Sequence, residues 1–403
     1  MALPLNFNDM HSSQNCGKNI SADEAGFSII ELMVAIAIGL IISGALISLF
    51  LNLNSSNSEM SKTNNLIENG RFTMQIVGND VAHAGFWDTY TPQFNDLTYA
   101  GVPSDTPTAV PNPCLGYLTP WSNADITNLI GINIQVYGDT PPSGSGCLTN
   151  LATNKKANTD VLVVRHAELC LPGDTNCEAD IPSKLYFQIS QSYNAYCASS
   201  FAADSLPYTL GTTGFGTLHK KDCTTLVTEK RKFISNIYYV RDYAKTLGDG
   251  IPSLMMSQFD LAGGALAHQV AVPLIEGVES FKVELGIDNL SSAGTPVDYT
   301  TAINWPDPTN LKSPTNRGDG VPDGAFVHCT DAIPCTASQL TNVTDVKIYV
   351  LSRGDKVSPG YINNKTYSLG GSTVGPYNDA YKRHIFSTSM RLNNISGRRE
   401  TPP

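Results

Sequence analysis

One carboxylate, Glu31, lies inside an otherwise apolar stretch and needs a chemical explanation. The stretch reads GFSIIELMVAIAIGLIISGALISLF and covers residues 26–50. An ionisable group in such a segment is costly unless a partner neutralises it. Glu31 lies about one helical turn after Phe27. A cut after Gly26 would therefore place a free Phe27 amine within reach of this carboxylate, on the same chain or on a neighbouring one.

Cysteine is the second residue type with chemical potential. Cys16 precedes the apolar stretch, and eight cysteines follow it: Cys114, Cys147, Cys170, Cys177, Cys197, Cys223, Cys329 and Cys335. Their even number favours disulfides in an oxidising compartment. Cys170/Cys177 and Cys329/Cys335 are close in sequence, while Cys114/Cys147 and Cys197/Cys223 each bracket a long loop, but sequence alone selects no pairing. Without CxxC or a Cys/His cluster, a zinc site is disfavoured.

A glycine-rich acidic loop, NRGDGVPDG at residues 316–324, offers carboxylate oxygens from Asp319 and Asp323. Such oxygens could bind calcium, although Pro322 and the lack of a following glutamate break the EF-hand pattern. A solvated turn is the simpler interpretation. Arg-Gly-Asp also occurs at 317–319 and 353–355, where an adhesive loop and an ordinary turn are the alternatives.

Nothing in the sequence predicts catalysis. The seven histidines form no HExxH, and neither a GxSxG elbow nor a phosphate-binding glycine loop is present. His166 is interpreted as an exposed or hydrogen-bonded strand residue. The net charge of −10 comes without a basic run, so no nucleic-acid partner is expected. The sequence thus predicts a non-enzymatic protein without a small-molecule substrate, with calcium as its one candidate cofactor.

The element that must position Glu31 is a long helix. Leu32 to Leu51 carry no charge over 20 residues, which spans a bilayer core and exceeds the apolar region of a signal peptide. Ala35, Gly39 and Ser43 recur every four residues, a spacing that lets helices approach closely. A helical pattern continues beyond Leu53 in two rows spaced by seven, Met60-Ile67-Met74-Val81 and Gly70-Val77-Ala84. One helix of about 86 Å over residues 28–84 is predicted.

Strands are predicted after Gly85. Six segments rich in Val, Ile, Tyr and Phe are separated by long loops without helical patterns, which favours an antiparallel sheet. The segments are 160–166, 184–190, 232–243, 279–288, 345–353 and 383–392, and the long loops are 91–125, 138–158, 198–222 and 289–340.

The motif GFSIIELMVAIAIG closely resembles the prepilin signature of type IV pilins and type II secretion pseudopilins. The resemblance implies that a prepilin peptidase cuts after Gly26 and methylates Phe27, and that Glu31 pairs with the Phe27 amine of an adjacent subunit. The leader departs from the usual short basic form, because Asp9, Asp23 and Glu24 outnumber Lys18. Residues 27–53 also lack the proline that many major pilins have there.

Four later blocks look like those of PilW-type minor pilins, in the same order: 69–87, 160–166, 275–288 and 383–394. The resemblance implies an α+β, type IV pilin-like fold in which a long N-terminal helix packs on a mainly antiparallel sheet with disulfide-stapled loops. The expected divisions are a leader (1–26), a transmembrane and filament-core helix (27–53), its amphipathic continuation (54–84) and a β-rich head (85–403).

The predicted function is that of a minor pilin that helps to initiate, and caps, a type IV pilus. The expected location is the inner membrane with the head in the periplasm, and afterwards the pilus. The expected partners are other minor pilins, the major pilin, the prepilin peptidase and the inner-membrane assembly platform. The alternatives are a minor pseudopilin of type II secretion and a membrane-anchored periplasmic binding module or enzyme.

Overall fold

A long helix opens the described part of the chain. A computed structural model describes residues 26–139, 154–193, 204–221, 226–307, 309 and 311–400. Helix α1 runs for 55 residues from Ile29 to His83, so it ends one residue before the predicted position. The chain divides into two compact units, Met1–Ser58 and Glu59–Pro403, and the division falls within α1.

Short strands dominate the second unit. The described residues contain β1 (Ile134–Tyr137), β2 (Val161–Ala167), β3 (Tyr186–Ile189), β4 (Tyr208–Gly211), β5 (Lys230–Arg241), β6 (Ser253–Ala262), β7 (Ala265–His268), β8 (Val272–Glu276), β9 (Val278–Ile287), β10 (Val343–Arg353), β11 (Tyr367–Leu369), β12 (Ser372–Val374) and β13 (Arg383–Arg391). Three short helices are α2 (Asn123–Gly131), α3 (Ala337–Thr341) and α4 (Asn393–Arg399), and a 3-10 turn covers Gln93–Asn95.

The strands form three sheets whose pairs are all antiparallel. The largest has the order β1-β2-β5-β3-β4, with β6 pairing β5, β7 and β8. A second sheet has the order β13-β10-β9, and β11 and β12 form a hairpin. The predicted fold, a long N-terminal helix with a mainly antiparallel head, is confirmed.

The main core lies between α1 and the sheet of β9, β10 and β13. Side chains alternate across a strand, so every second residue faces the helix. Val77 and Val81 of α1 are fully buried in one cluster with Phe281, Val283 and Leu285 of β9 and with Val346, Ile348 and Val350 of β10. The amphipathic half of α1 is therefore an integral part of the head's core.

A second core is aromatic and lies against the larger sheet. It contains Trp87, Trp121, Phe187, Phe233 and Phe259. The fully buried Trp87 satisfies its indole N–H by donating to the Ile130 carbonyl and to Asn133 Oδ1, each at 3.0 Å. This pair of bonds fixes the chain where it leaves α1 and joins that turn to α2.

The buried face of α1 differs in part from the predicted stripe. Met60 and Ile67 are 60% and 39% exposed, whereas the buried positions are Leu66, Gly70, Thr73, Val77, Gly78 and Val81. A row spaced by seven drifts by about 20° per heptad around a straight helix. In the row Met60-Ile67-Met74-Val81, the residues nearer the N-terminus therefore no longer face the sheet. The row Gly70-Val77-Ala84 is the one that packs against the head.

Candidate assembly site

Glu31 has a local hydrogen-bond partner at the start of α1. Its Oε2 accepts a hydrogen bond from the Ser28 backbone N–H at 3.0 Å. Ser28 Oγ in turn accepts from the Ile30 N–H at 3.3 Å. These are the contacts of an S-x-x-E helix start, in which side chains satisfy N–H groups that lack intrahelical partners. Ser28 followed by Glu31 is a sequence signal for this helix start, in addition to the role in assembly that the resemblance implies for Glu31.

The apolar segment, residues 27–53, presents its side chains to the surroundings all along its length. Phe27 is 87% exposed, Leu32 56% and Leu53 53%. Its most apolar 18-residue window contains no buried residue, and by length and composition the helix could cross a membrane. A carbon atom added at Gly39 or Gly44 would meet nothing within 4 Å. The small-residue face predicted from Ala35, Gly39 and Ser43 is therefore free to approach another helix.

Two glycines bring the second half of α1 close to β13. A Cβ on Gly70 would overlap the ring of Phe386, and one on Gly78 would lie 3.0 Å from Met390 Sδ. Both partners belong to β13 and point towards the helix. The close approach requires the absence of a side chain at Gly70, so this glycine sets the distance between helix and sheet.

Asp80 joins α1 to the larger sheet through a polar cluster. Its carboxylate lies 2.9 Å from His166 Nε2 and accepts bonds from Asn236 Nδ2 at 3.0 Å and from the Tyr238 hydroxyl at 2.8 Å. Burial, with Asp80 beside it, raises the pKa of Tyr238. His166 itself is buried and hydrogen-bonded. The cluster fixes the rotation of the helix about its axis relative to β2 and β5.

Glu59 ties the start of the second unit to the C-terminal part of the chain. Its carboxylate lies 2.7 Å from both Lys382 Nζ and Lys62 Nζ and accepts a bond from Ser358 Oγ at 2.6 Å. These hydrogen bonds, from Lys382 foremost and then Lys62 and Ser358, lower the pKa of Glu59 from 4.5 to about 2.

Two disulfides join cysteines that are near neighbours in the sequence. Cys170–Cys177 closes a separation of seven residues and Cys329–Cys335 one of six, and Cys329 is 1% exposed within the main core. Cys114 is also disulfide-bonded. Cys147, Cys197 and Cys223 lie outside the described residues, as do Cys16 and the leader up to residue 25. The pairings Cys114/Cys147 and Cys197/Cys223 stay predictions.

The acidic loop at 316–324 uses its carboxylates to hold backbone. Asp319 accepts from the Val321 N–H at 3.0 Å, and Asp323 accepts from the Leu290 N–H at 2.6 Å. The Asp288 carboxylate accepts hydrogen bonds from the backbone N–H groups of Asp319 and Gly320, and it forms an ion pair with Arg399 at 3.1 Å. Within the described ranges, no group of three or more His, Cys, Asp or Glu side chains could hold a metal ion. This arrangement favours the interpretation as a turn, and calcium binding stays an untested prediction.

Neither Arg-Gly-Asp sequence is displayed as an adhesive loop. Arg317 is 4% exposed and donates to the carbonyls of Asn316 and Thr301, each at 2.9 Å. Arg353 is 8% exposed, lies over the Tyr381 ring and is 3.9 Å from Glu279. Both guanidinium groups bond or pack within the head, which favours the interpretation of the two tripeptides as ordinary turns.

Comparisons with known proteins bear on both ends of the chain. A family model described as type IV pilus-assembly protein W matches residues 237–394, and one described as a prokaryotic N-terminal methylation motif matches residues 21–47. The structure is similar to a type IV-like pilin from Thermus thermophilus with 12% identity, a TM-score of 0.30, and coverage of 82% of this chain and 98% of that one. No curated protein matches the chain. The family matches point to a structural protein rather than an enzyme.

Proposed function

We propose that the chain is a PilW-type minor pilin that takes part in initiating a type IV pilus and in forming its tip complex. A methylation motif at its N-terminus and a pilus-assembly protein W segment in its head support this proposal. Its function is assembly rather than chemistry. Its working surfaces are the apolar segment and the surface of the head that selects neighbouring subunits.

The N-terminus is processed before assembly in this proposal. A prepilin peptidase removes residues 1–26 by cutting after Gly26 and methylates the new N-terminal Phe27. The helix then begins almost at the chain end, with Ser28 and Glu31 at its first turn. A carboxylate in the first turn opposes the positive end of the helix dipole and can also reach a cationic amine nearby.

The apolar segment first anchors the chain in the inner membrane, with the head (85–403) in the periplasm and residues 54–84 as the amphipathic continuation of the helix. On assembly, residues 27–53 leave the lipid and pack among the helices of the major pilin and other minor pilins. The assembly platform in the inner membrane drives this transfer. Glu31 then meets the Phe27 amine of an adjacent subunit, which provides the neutralising partner that an ionisable group in an apolar environment requires.

The observation that carries this proposal is the exposure of the most apolar part of α1 in the described part of the chain. Its side chains are exposed throughout, although burying an aliphatic side chain of this size is worth roughly 1.5–3 kcal/mol. A surface of this kind requires lipid or other apolar helices as its environment. The apolar segment directly follows the cleavage motif and contains Glu31 near its start. This order supports a lipid environment first and an environment of other subunits' helices afterwards.

Mass spectrometry of the mature N-terminus tests the processing step. The expected result is a chain that begins at Phe27 and carries one methyl group on its amine. The control is Gly26→Leu, which blocks access to the cleavage site and should retain residues 1–26. Recovery of the unaltered leader on the wild-type chain from piliated cells would sink the proposal and favour a permanently anchored periplasmic module.

A further inference from the structure

Loop 354–366, which joins β10 to β11, is bonded to the part of α1 that belongs to the head. Ser358 Oγ donates a hydrogen bond to Glu59 Oε2 at 2.6 Å, and Lys62 Nζ donates one to the Val357 carbonyl at 2.8 Å. Both bonds join residues of the second compact unit, whose first residue is Glu59. The loop therefore stays beside the point where the chain enters the head.

The chain itself keeps this point near the end of the apolar segment. Leu53, the last residue of that segment, precedes Glu59 by six residues. Six residues span at most about 20 Å even when they are fully extended. With the apolar segment in a membrane, as proposed above, the part of the head next to Glu59 is held within that distance of the lipid, whatever path the chain takes between the two units.

Two aliphatic side chains of this loop are exposed. Val357 is 49% exposed and Ile362 is 69% exposed. A turn in which the Tyr361 N–H donates to the Ser358 carbonyl at 3.1 Å separates them. A single exposed aliphatic residue is common on protein surfaces. Two of them on one short loop beside a membrane-spanning segment, with lysines next to them, have the composition of a segment that lies in the membrane interface.

The lysines of the loop lie next to these aliphatic residues in the sequence. Lys356 and Lys365 are both exposed, and neither forms an ion pair within the described ranges of the chain. Asp355 is the one acidic residue of loop 354–366, so the loop has a net charge of +1 in a chain of net charge −10. Lysine side chains can cover apolar surface with their stems while the ammonium group stays in water. Anionic lipids attract such groups near a membrane surface.

We propose that loop 354–366 is a membrane-contact surface, in which Val357 and Ile362 enter the headgroup zone and Lys356 and Lys365 bind anionic phospholipid headgroups. The contact is made with the same lipid that surrounds the apolar segment, and it rests on the proposed anchoring of that segment. It belongs to the stage before assembly, when it restrains the head against the membrane. Extraction of the subunit into a filament breaks it.

Fluorescence of the full chain reconstituted in vesicles tests the contact. Ile362→Trp places a reporter on the loop. The matched probe is Ile333→Trp, because Ile333 is 72% exposed and lies in a different loop, between Cys329 and Cys335. The vesicles contain phosphatidylcholine and phosphatidylglycerol whose acyl chains carry bromine near the headgroup, and bromine quenches an indole that it contacts. The signal of the wild-type chain, which has three tryptophans, is subtracted.

The two probes should respond differently to the brominated lipid. The fluorescence added by Ile362→Trp should fall by at least about half, because its side chain enters the interface, while that added by Ile333→Trp should fall by less than about a tenth. Reversing both lysine charges, with Lys356→Glu and Lys365→Glu in the Ile362→Trp chain, should reduce the quenching at least about twofold. Vesicles without phosphatidylglycerol should also quench this probe less.

Flotation of the vesicles on a density gradient separates failure of the contact from failure of the anchoring. In chains that float with the vesicles, equal quenching of the two probes, or none at residue 362, would overturn the proposed contact and leave the proposed function intact. Absence of quenching there would leave the loop to a protein partner. Quenching that survives both charge reversals would refute the role of the lysines. A chain that does not float with vesicles would contradict the anchoring as well.

Discussion

At the scale of single residues, Glu31 has one observed role in its own helix and one proposed role in assembly. In the isolated chain it caps its own helix by accepting the Ser28 N–H, a contact worth about 1 kcal/mol. In the proposed filament it neutralises a neighbour's amine. We expect Glu31→Ala to leave the head folded and to abolish or misregister incorporation, measured as the amount of this subunit in sheared pili relative to the membrane fraction.

The matched control for this substitution is Glu68→Ala on the same helix, where the side chain is exposed and lies beyond the apolar segment. It removes the same charge and should leave incorporation unchanged. Normal incorporation of the Glu31→Ala subunit would contradict the pairing with Phe27 and reduce Glu31 to a helix cap.

The lowered pKa of Glu59 predicts how acid changes the stability of the head. Hydrogen bonds from Lys382, Lys62 and Ser358 lower its pKa from 4.5 to about 2. A carboxylate whose pKa is lowered by folding stabilises the native state above its ordinary pKa, and this contribution is lost as the pH falls through the lowered value. Wild type should therefore be more stable than Glu59→Gln at pH 7, and the difference should vanish between about pH 4.5 and about pH 2.

Urea unfolding at a series of pH values measures this difference. The control is Glu68→Gln, which makes the same substitution at an exposed carboxylate on α1. A stability difference for Glu59→Gln that stays constant down to pH 2 would contradict the assigned role of the ionised carboxylate.

At the scale of elements, the distance between α1 and β13 depends on Gly70. Replacing glycine by alanine within a helix ordinarily stabilises it by about 1 kcal/mol. Here the added carbon would overlap the Phe386 ring, and overpacking of this kind typically costs about 1–3 kcal/mol. We expect Gly70→Ala to lower the free energy of unfolding of the head by up to about 2 kcal/mol, the overpacking cost less the helix gain, measured by urea denaturation.

Gly44→Ala is the control, because a carbon added there meets nothing within 4 Å, and it should leave the stability of the head unchanged. The double variant Gly70→Ala/Phe386→Ala should lose less than the sum of the single changes, because Phe386→Ala removes the ring that the carbon added at residue 70 would overlap. Strict additivity would show that the helix and β13 adjust independently.

The sequence predicts best those elements whose residues follow one clear pattern, either the helical spacing of α1 or the β-branched and aromatic runs of the strands. All six predicted segments contain strands, because Val, Ile, Tyr and Phe alternate or run together there. The helix was predictable to within a residue of its end. Its buried face was not, because Met60 and Ile67 look equivalent to Val81 in a seven-residue count, and the choice among neighbouring rows depends on where β13 lies.

The six segments do not include seven of the described strands, which are β1, β4, β6, β7, β8, β11 and β12, and β4 lies inside the predicted loop 198–222. The sequence carries a signal for the turn between β6 and β7. The sequence LAGGALA at 261–267 has the Gly-Gly pair of a two-residue hairpin turn, and both glycines have positive φ, 59° and 82°. A polar cavity beside β9 has no comparable signal in the sequence. Lys156, Ser280 and Tyr377 are far apart in sequence, and only the packing of β9 against the β11–β12 hairpin brings them together.

At the scale of the whole molecule, the two units differ in what stabilises them. Every buried hydrophobic residue in the described chain follows residue 59, and the first is Leu66. The N-terminal unit, by contrast, contributes exposed apolar side chains up to Leu53. The head therefore obtains its stability without the apolar segment, whereas the apolar segment depends on a membrane or on other subunits.

This asymmetry predicts opposite outcomes for two truncations. A chain that begins at Glu59 keeps Leu66, Val77, Val81 and Asp80, so it should be monomeric in water and unfold cooperatively. A chain that begins at Trp87 loses those side chains from the core and leaves His166, Asn236 and Tyr238 without their shared carboxylate. Loss of each aliphatic side chain from the core costs about 2–5 kcal/mol. The loss of three such side chains is comparable to the whole free energy of unfolding of a typical domain, about 5–15 kcal/mol. Circular dichroism on heating should show a sharp transition for the first chain and none for the second. A cooperative transition in the shorter chain would show that the amphipathic half of α1 belongs to the apolar segment rather than to the head.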